Sequence, residues 1–332
     1  MTPNGGWGES NTALIAGNGE SLLVDTLWDL PRTSAMLAAF KSYLEAAPLS
    51  RVVNTHADGD HWFGNQLTGP GVEIIATKAA QRHMQRHGPR QMKALRAAAR
   101  AYRVLGCLPV PGRTGYRVAA EYFAGMTRAF DFSKIRPAPA NSNFTGKMQL
   151  QVGGRQVVLV EVGPAHTSGD LVVHLPEERI VVAGDILFVG VLPILWDGSA
   201  RNWTRACERI LEWKVDTVIP GHGPVTDLSG VDIVRKYWQF LRGAVQRHFD
   251  KGRSPDWVAR HILNSDEYQK QPFASWDGQE RTVVNVHSMY RRLMGLKRQI
   301  SPFERLNLLR KTALLARDLP HRSAELSLGS DA

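Results

Sequence analysis

The stretch RVVNTHADGDHWFGN, residues 51–65, concentrates more ligand-type side chains than any other part of the chain. A short apolar strand containing Val52 and Val53 runs into His56, Asp58, Asp60 and His61 within six positions. On an extended segment alternate side chains share a side, so His56, Asp58 and Asp60 are expected to converge while His61 turns aside. Imidazoles and carboxylates this close repel and desolvate one another unless a cation joins them. Together they suit divalent transition ions.

Three further segments repeat the plan of a strand followed by a ligand-type residue. LVEVGPAHTSGDLVVHL, residues 159–175, places His166 after a strand and a Gly-Pro turn. RIVVAGDILF, residues 179–188, places Asp185 at the end of an apolar strand, and VDTVIPGHGPV, residues 215–225, sets His222 between two glycines. Segments that follow strands are where a scaffold displays functional side chains. The remaining histidines read as incidental. His83, His87, His248, His261, His287 and His321 lie in helical, basic stretches, and His174 lies in an apolar strand-like run.

The four motifs, in this order, resemble those of the metallo-β-lactamase-fold hydrolase superfamily: His-x-His-x-Asp-His, then a His, then an Asp, then a C-terminal Gly-His. The resemblance covers roughly residues 10–230 and includes SNTALIAGNGESLLVDTLW, which is similar to the family's first hairpin. It implies an α/β (α+β) fold, a four-layer αββα sandwich with the metals at one edge of the two sheets. It also implies one metal held by His56, Asp58 and His166, another by Asp60, His61 and His222, and Asp185 bridging them. Asp60 would be the catalytic residue, orienting a metal-activated hydroxide and accepting its proton.

This sequence departs from the family pattern at Asp58, where the second His usually stands. With two divalent ions and one hydroxide, a third aspartate brings the centre to formal neutrality, whereas two leave it cationic. Zinc is the metal the family implies, and the harder, more anionic site favours manganese or iron. Asp58 either ligates or accepts a hydrogen bond from outside the ligand set. The resemblance implies a dinuclear hydrolase acting on an ester, thioester, lactone or amide of a small, anionic or neutral molecule. A carboxylate at this position also resembles the diiron members of the fold, so a diiron oxidoreductase is the alternative, ahead of a phosphodiesterase or nuclease.

Outside the motifs, residues 32–45 read as an amphipathic helix, and residues 77–146 as an insertion. Its first part is helical in composition with a break at Gly88-Pro89. From Lys78 to Arg103 it holds eight basic residues and no acid. This run is either a solvated face, a contact with a second subunit in a homodimer, or a lid through which Arg82 and Arg86 attract an anionic substrate. Residues 108–146, rich in Pro, Gly and aromatics, read as a long irregular segment, with Tyr116, Tyr122, Phe123 and Phe130 either walling a pocket or anchoring the insertion. Phe188, Leu192, Ile194 and Trp196, next to Asp185, are candidate pocket residues; core packing or a dimer contact is the alternative. Residues 1–230 are expected to form the ligand-bearing domain, and residues 231–332 a helical extension packed on it, with a frayed end from His321.

The chain has 332 residues, a formal net charge of +10 and two cysteines. These exclude a disulfide framework and a Cys-based zinc finger. No apolar run is long enough to span a membrane, and the first residues do not read as a signal peptide, so a cytoplasmic location is expected. The basic excess permits a nucleic-acid partner, but the basic run lacks interleaved aromatics for base stacking, and a small-molecule substrate is favoured.

Overall fold

A computed structural model describes residues 9–296 and 300–319; the expected frayed end from His321 lies outside the described residues. Two five-stranded sheets form the centre. The first runs in the order β1 (Ala13–Gly17), β2 (Glu20–Val24), β3 (Leu49–Val53), β4 (Glu73–Thr77), β5 (Ser142–Phe144). The second comprises β6 (Lys147–Val152), β7 (Arg155–Glu161), β8 (Leu171–Leu175), β9 (Ile180–Phe188) and β10 (Thr217–His222), ordered β10-β9-β8-β7-β6. β2, β3, β4 and β5 pair in parallel, as do β9 and β10, while β6 to β9 form an antiparallel meander.

Period-two alternation assigns each strand's side chains to two different cores. In β7, Val157 and Leu159 face the other sheet, whereas Val158 and Val160 join the outer core. In β2, Leu22 and Val24 point between the sheets and Leu23 points out. The outer core of the first sheet receives α1 (Leu30–Ala39) and α3 (Lys78–Arg86), with the short α2 (Lys41–Ala46) following α1. That of the second sheet receives α6 (Ala200–Glu212), α7 (Leu228–Phe249), α8 (Pro255–Leu263), the one-turn α9 (Asp266–Gln269) and α10 (Thr282–Leu293). The result is the four-layer αββα sandwich expected from the motifs.

The insertion contributes α4 (Arg90–Cys107) and α5 (Arg113–Thr127), separated from α3 at Gly88-Pro89 as expected. The irregular reading of residues 108–146 does not hold over α5. Pro109, Pro111, Gly112, Gly115 and Gly125 gave that stretch a loop-like composition. A mid-helix glycine costs only about 1 kcal/mol, and burial of Ala119, Phe123 and Met126 against Leu95 and Ala99 of α4 offsets it. The same small core takes in Leu309 and Ala313 of α11 (Pro302–Asp318), so the insertion and the end of the described chain pack together. No described helix is long and apolar enough to cross a membrane.

Asp256 of α8 ties two other helices to its own, accepting from His287 Nε2 of α10 at 2.7 Å and from Lys311 Nζ of α11 at 2.6 Å. These partners, His287 first, hold its carboxyl well below the ordinary range. A carboxylate lowered on folding contributes stability above its unfolded pKa of about 3.9 and loses it as pH falls. Urea titrations of Asp256→Asn at pH 7 and pH 3 should therefore show the variant weaker at pH 7, with the difference from wild type shrinking at pH 3. An equal difference at both pH values would contradict this.

Candidate metal centre

The site forms where the C-terminal ends of β3, β9 and β10 come to one edge of the sandwich. Past β3 the chain bends through residues 55–58 and then tightens into a 3₁₀ turn, Gly59–His61. The turn ends the alternation expected from an extended segment, and His61 does not turn aside: its Nε2 lies 3.2 Å from Asp185 Oδ1. Asp185 sits within β9, which continues to Phe188, rather than at the strand's end. His222 closes β10, and His166 lies in the loop between β7 and β8.

Asp185 is the hub. Its carboxylate approaches Nε2 of His56 at 3.7 Å, His61 at 3.2 Å, His166 at 3.3 Å and His222 at 3.3 Å. Asp60 Oδ2 lies 3.7 Å from His61 Nε2 and 3.5 Å from His222 Nε2. Two groups with ligand geometry result, His56 with His166 and Asp185, and Asp60 with His61 and His222, the donor atoms of each lying within 4.8 Å of one another. Asp58 stands at the mouth, 3.1 Å from His166 Nε2, with its side chain 30% exposed.

Each imidazole is held by its other nitrogen. Nδ1 of His61 bonds Asp25 Oδ2 at 2.8 Å, that of His166 the Ile194 carbonyl at 2.7 Å, that of His222 the Glu9 carbonyl at 3.2 Å, and that of His56 the Thr55 hydroxyl at 3.0 Å. Such outer contacts orient metal-ligating histidines and leave Nε2 for the ion. Among the described residues, His56 Nε2 is buried with no hydrogen-bond partner, and His61 Nε2 and Asp185 Oδ1, 3.2 Å apart, have no well-aligned one. Orphaned buried donors and acceptors of this kind are costly, and divalent cations would satisfy all three, so the residues fit a metal centre.

The electrostatics agree. Against burial that would raise it, His222, His61 and His56 hold the Asp185 carboxyl well below its ordinary range. Against burial that would lower it, Asp58 and Asp185 push His166 up to about 9. For Asp60 burial wins over the pull of His61 and His222, and its pKa rises. Against burial, His61 is likewise raised, by Asp185, Asp60 and Asp25, whereas burial and the neighbouring His61 hold His56 well below the ordinary range.

Close approach of the strands demands two glycines. Gly184 has φ +51° and abuts Thr55, and a Cβ on Gly221 would lie 1.9 Å from Asp185 Oδ1. Behind the ligands, buried Phe188 stacks on His222 with ring centroids 4.9 Å apart and meets His166 edge-on at 5.9 Å. Trp196 packs on the insertion core and donates its backbone N–H to the His166 carbonyl at 3.3 Å. Leu192 and Ile194 are buried, as are Phe123 and Phe130 of the insertion. Tyr122 bonds Glu280, and Tyr116 packs on Tyr102.

Arg82 and Arg86 are exposed on α3, as are Lys78, Arg90, Lys93, Arg100 and Arg103 along the basic run. Arg96 instead bonds the carbonyls of Thr127 and Phe130.

Sequence reading passed over three residues near the centre. Asp25 also accepts from Thr55, and its only signal was its place at the end of the first hairpin. His83, on α3, is half-buried. Burial lowers its pKa first, and Asp58, His87, Asp197 and Arg305 are the charges that act on it next. Arg305 comes from α11, its guanidinium 4.7 Å above the Trp196 ring and 3.7 Å from Asp197, and it is among the charges acting on Asp58.

The chain belongs to the metallo-beta-lactamase superfamily, whose family model matches residues 5–222. It is 23% identical over 218 residues to the 2,4-dinitroanisole O-demethylase subunit alpha of Nocardioides sp., a match covering 65% of this chain and 53% of that protein. It is 31% identical over 113 residues to the hydroxyacylglutathione hydrolase of Rhizobium meliloti, covering 32% of this chain and 43% of that one. The chain thus spans about half the length of the curated relatives it matches. Among solved structures, the stereoselective inverting sec-alkylsulfatase Pisa1 from Pseudomonas sp. superposes with a TM-score of 0.63 at 16% identity, over 86% of this chain and 48% of that one. At this identity the last likeness concerns the fold alone.

The Gly221 contact yields a direct test. Gly221→Ala drives a methyl group into Asp185 Oδ1 and should displace the carboxylate that approaches the histidines of both ligand groups. Elemental analysis after dialysis is expected to show metal retention at least about tenfold weaker than in wild type. Wild-type retention would mean that Asp185 is not shared.

Proposed function

We propose that this protein is a dinuclear metal-dependent hydrolase acting on an ester, thioester, lactone or amide of a small anionic molecule. The observation that carries the proposal is the approach of Asp185 to all four histidine Nε2 atoms, beside two groups of donors, His56 with His166 and Asp185, and Asp60 with His61 and His222; this supports Asp185 as a bridging carboxylate. His56, His166, Asp58 and Asp185 would hold one ion; Asp60, His61, His222 and Asp185 would hold the other. Zinc is the metal the family favours, and manganese or iron is the choice that a third aspartate favours. Divalent ions held there supply Lewis acidity and lower the pKa of water towards neutrality.

The chain's own groups do the rest. Asp60 Oδ2, facing both His61 and His222, is placed to orient the attacking water and receive its proton. Asp25, Thr55, Glu9 and Ile194 keep the four imidazole rings in register. Arg305 and His83, each coupled electrostatically to Asp58, are groups able to meet an anionic substituent of a substrate. The hydroxyacylglutathione hydrolase relative supports hydrolysis at an acyl centre. Asp58, which adds a third carboxylate beside His166, supports a second reading, a diiron oxidoreductase.

Elemental analysis of protein purified without added metal, paired with turnover of chromogenic esters and thioesters, separates the two. Two equivalents of zinc or manganese with ester or thioester turnover is the expected result. Two equivalents of iron with an oxygen-dependent optical change would replace the hydrolase reading with the oxidoreductase one. Asp58→Ala should lower metal content towards one equivalent; unchanged content would remove Asp58 from the ligand set. Arg305→Gln should raise KM for an anionic substrate by roughly tenfold, in line with loss of one charged hydrogen bond, with little change for a neutral analogue.

A further inference from the structure

His166 owes its orientation to a loop that the distal helices hold. Its Nδ1 donates to the carbonyl of Ile194, in the segment that links β9 to α6. The residues on either side of Ile194 are both bonded by one side chain, Asn285 of α10. Asn285 Oδ1 accepts from Leu195 N at 2.7 Å, and its Nδ2 donates to the Pro193 carbonyl at 2.9 Å. The amide is fully buried, and Nδ2 also reaches the Tyr237 hydroxyl of α7 at 2.8 Å, which fixes the side chain from behind. Three neighbours extend the clamp. Ser288 Oγ donates to the Leu195 carbonyl at 2.8 Å, Arg281 Nη1 to that of Leu192 at 2.8 Å, and Arg292 Nε to that of Gly198 at 2.6 Å. All four clamping residues lie beyond the region that the family model matches, residues 5–222.

We infer that Asn285 is a positioning residue for the metal centre: by pinning both peptide units that flank Ile194, it aims the carbonyl that holds His166 Nδ1–H and thereby presents Nε2 to the ion. The inference rests on the metal-binding reading of the site. A carbonyl free to rotate would allow the imidazole to tilt or to change tautomer, and contacts at this remove from an ion are worth about tenfold to a hundredfold in metal affinity. The helical extension then does more than cover the outer face of the second sheet. It completes the coordination geometry of a residue more than a hundred positions earlier in the chain.

The test measures Zn2+ affinity by competition with a chromophoric chelator, and the visible spectrum of the Co2+-loaded protein, for wild type, Asn285→Ala, Asn285→Asp and Val286→Ala. Val286 is a fully buried neighbour on the same helix that touches the core and makes none of these hydrogen bonds. It controls for loss of stability alone. Asn285→Ala is expected to weaken one of two Zn2+ equivalents by about tenfold or more and to alter the Co2+ spectrum, while Val286→Ala lowers Tm and leaves both readouts near wild type. If Asn285→Ala does not fold, Asn285→Asp carries the test: it keeps the acceptor for Leu195 N and loses the donor to Pro193. Wild-type Zn2+ affinity in a folded Asn285 variant, or an equal loss in Val286→Ala, would overturn the positioning role while leaving the metal reading intact. A wild-type protein that takes up no Zn2+ or Co2+ would overturn the metal reading itself, and the role of Asn285 with it.

Discussion

Everything near the active edge answers to one requirement: four imidazoles and three carboxylates must be brought together around Asp185 with most of their surface removed from water. Desolvating that many polar groups is unfavourable unless each finds a fixed partner. The chain supplies one on the far side of every ring, from Asp25, Thr55, Ile194 and Glu9. Buried Asp170 does the same for the His166 loop, accepting from the backbone N–H groups of Ala165 and Thr167 and from the Thr167 hydroxyl. Phe188 stacks on His222 and meets His166 edge-on, which places buried apolar surface against two of the rings.

Such a centre can be assembled only where the C-terminal ends of β3, β9 and β10 approach at close range. Thr55 bridges the two sheets, its carbonyl accepting from Leu171 N, and packs on Gly184 of β9. Asn11 does the same for the last ligand, its side chain donating to the carbonyls of Pro220 and Gly223 on either side of His222. These cross-links explain why the ligands, spread along the chain from residue 56 to residue 222, act as a single site.

The +10 charge divides in a way composition does not show. Seven of the eight basic residues from Lys78 to Arg103 face solvent, and Arg96 braces the end of α5. Arg305 is a cation that acts on Asp58, and α11 delivers it because that helix shares a small apolar core with α4 and α5. Electrostatics at the mouth therefore depend on packing between two parts of the chain far apart in sequence.

How much could be read in advance follows from the range of the interactions. The strand-then-ligand plan at residues 51–65, 159–175, 179–188 and 215–225 is local, because period-two alternation and turn residues act over a few positions. It carried the sandwich, the family and the residues that converge. Local signals misjudged α5, whose glycines and prolines outweighed a helical face that only α4 and α11 make worthwhile. They placed His61 with Asp60 and His222 but did not give its direction, which a single 3₁₀ turn sets. Asp25, His83, Asn285 and Arg305 had no distinguishing sequence pattern, since each matters through a partner tens to hundreds of residues away. The sequence by itself thus determined which side chains could form the centre. Only the tertiary structure decided how they are aimed and what stands at the mouth, because orientation is set by long-range packing and hydrogen bonds that no short window of sequence contains.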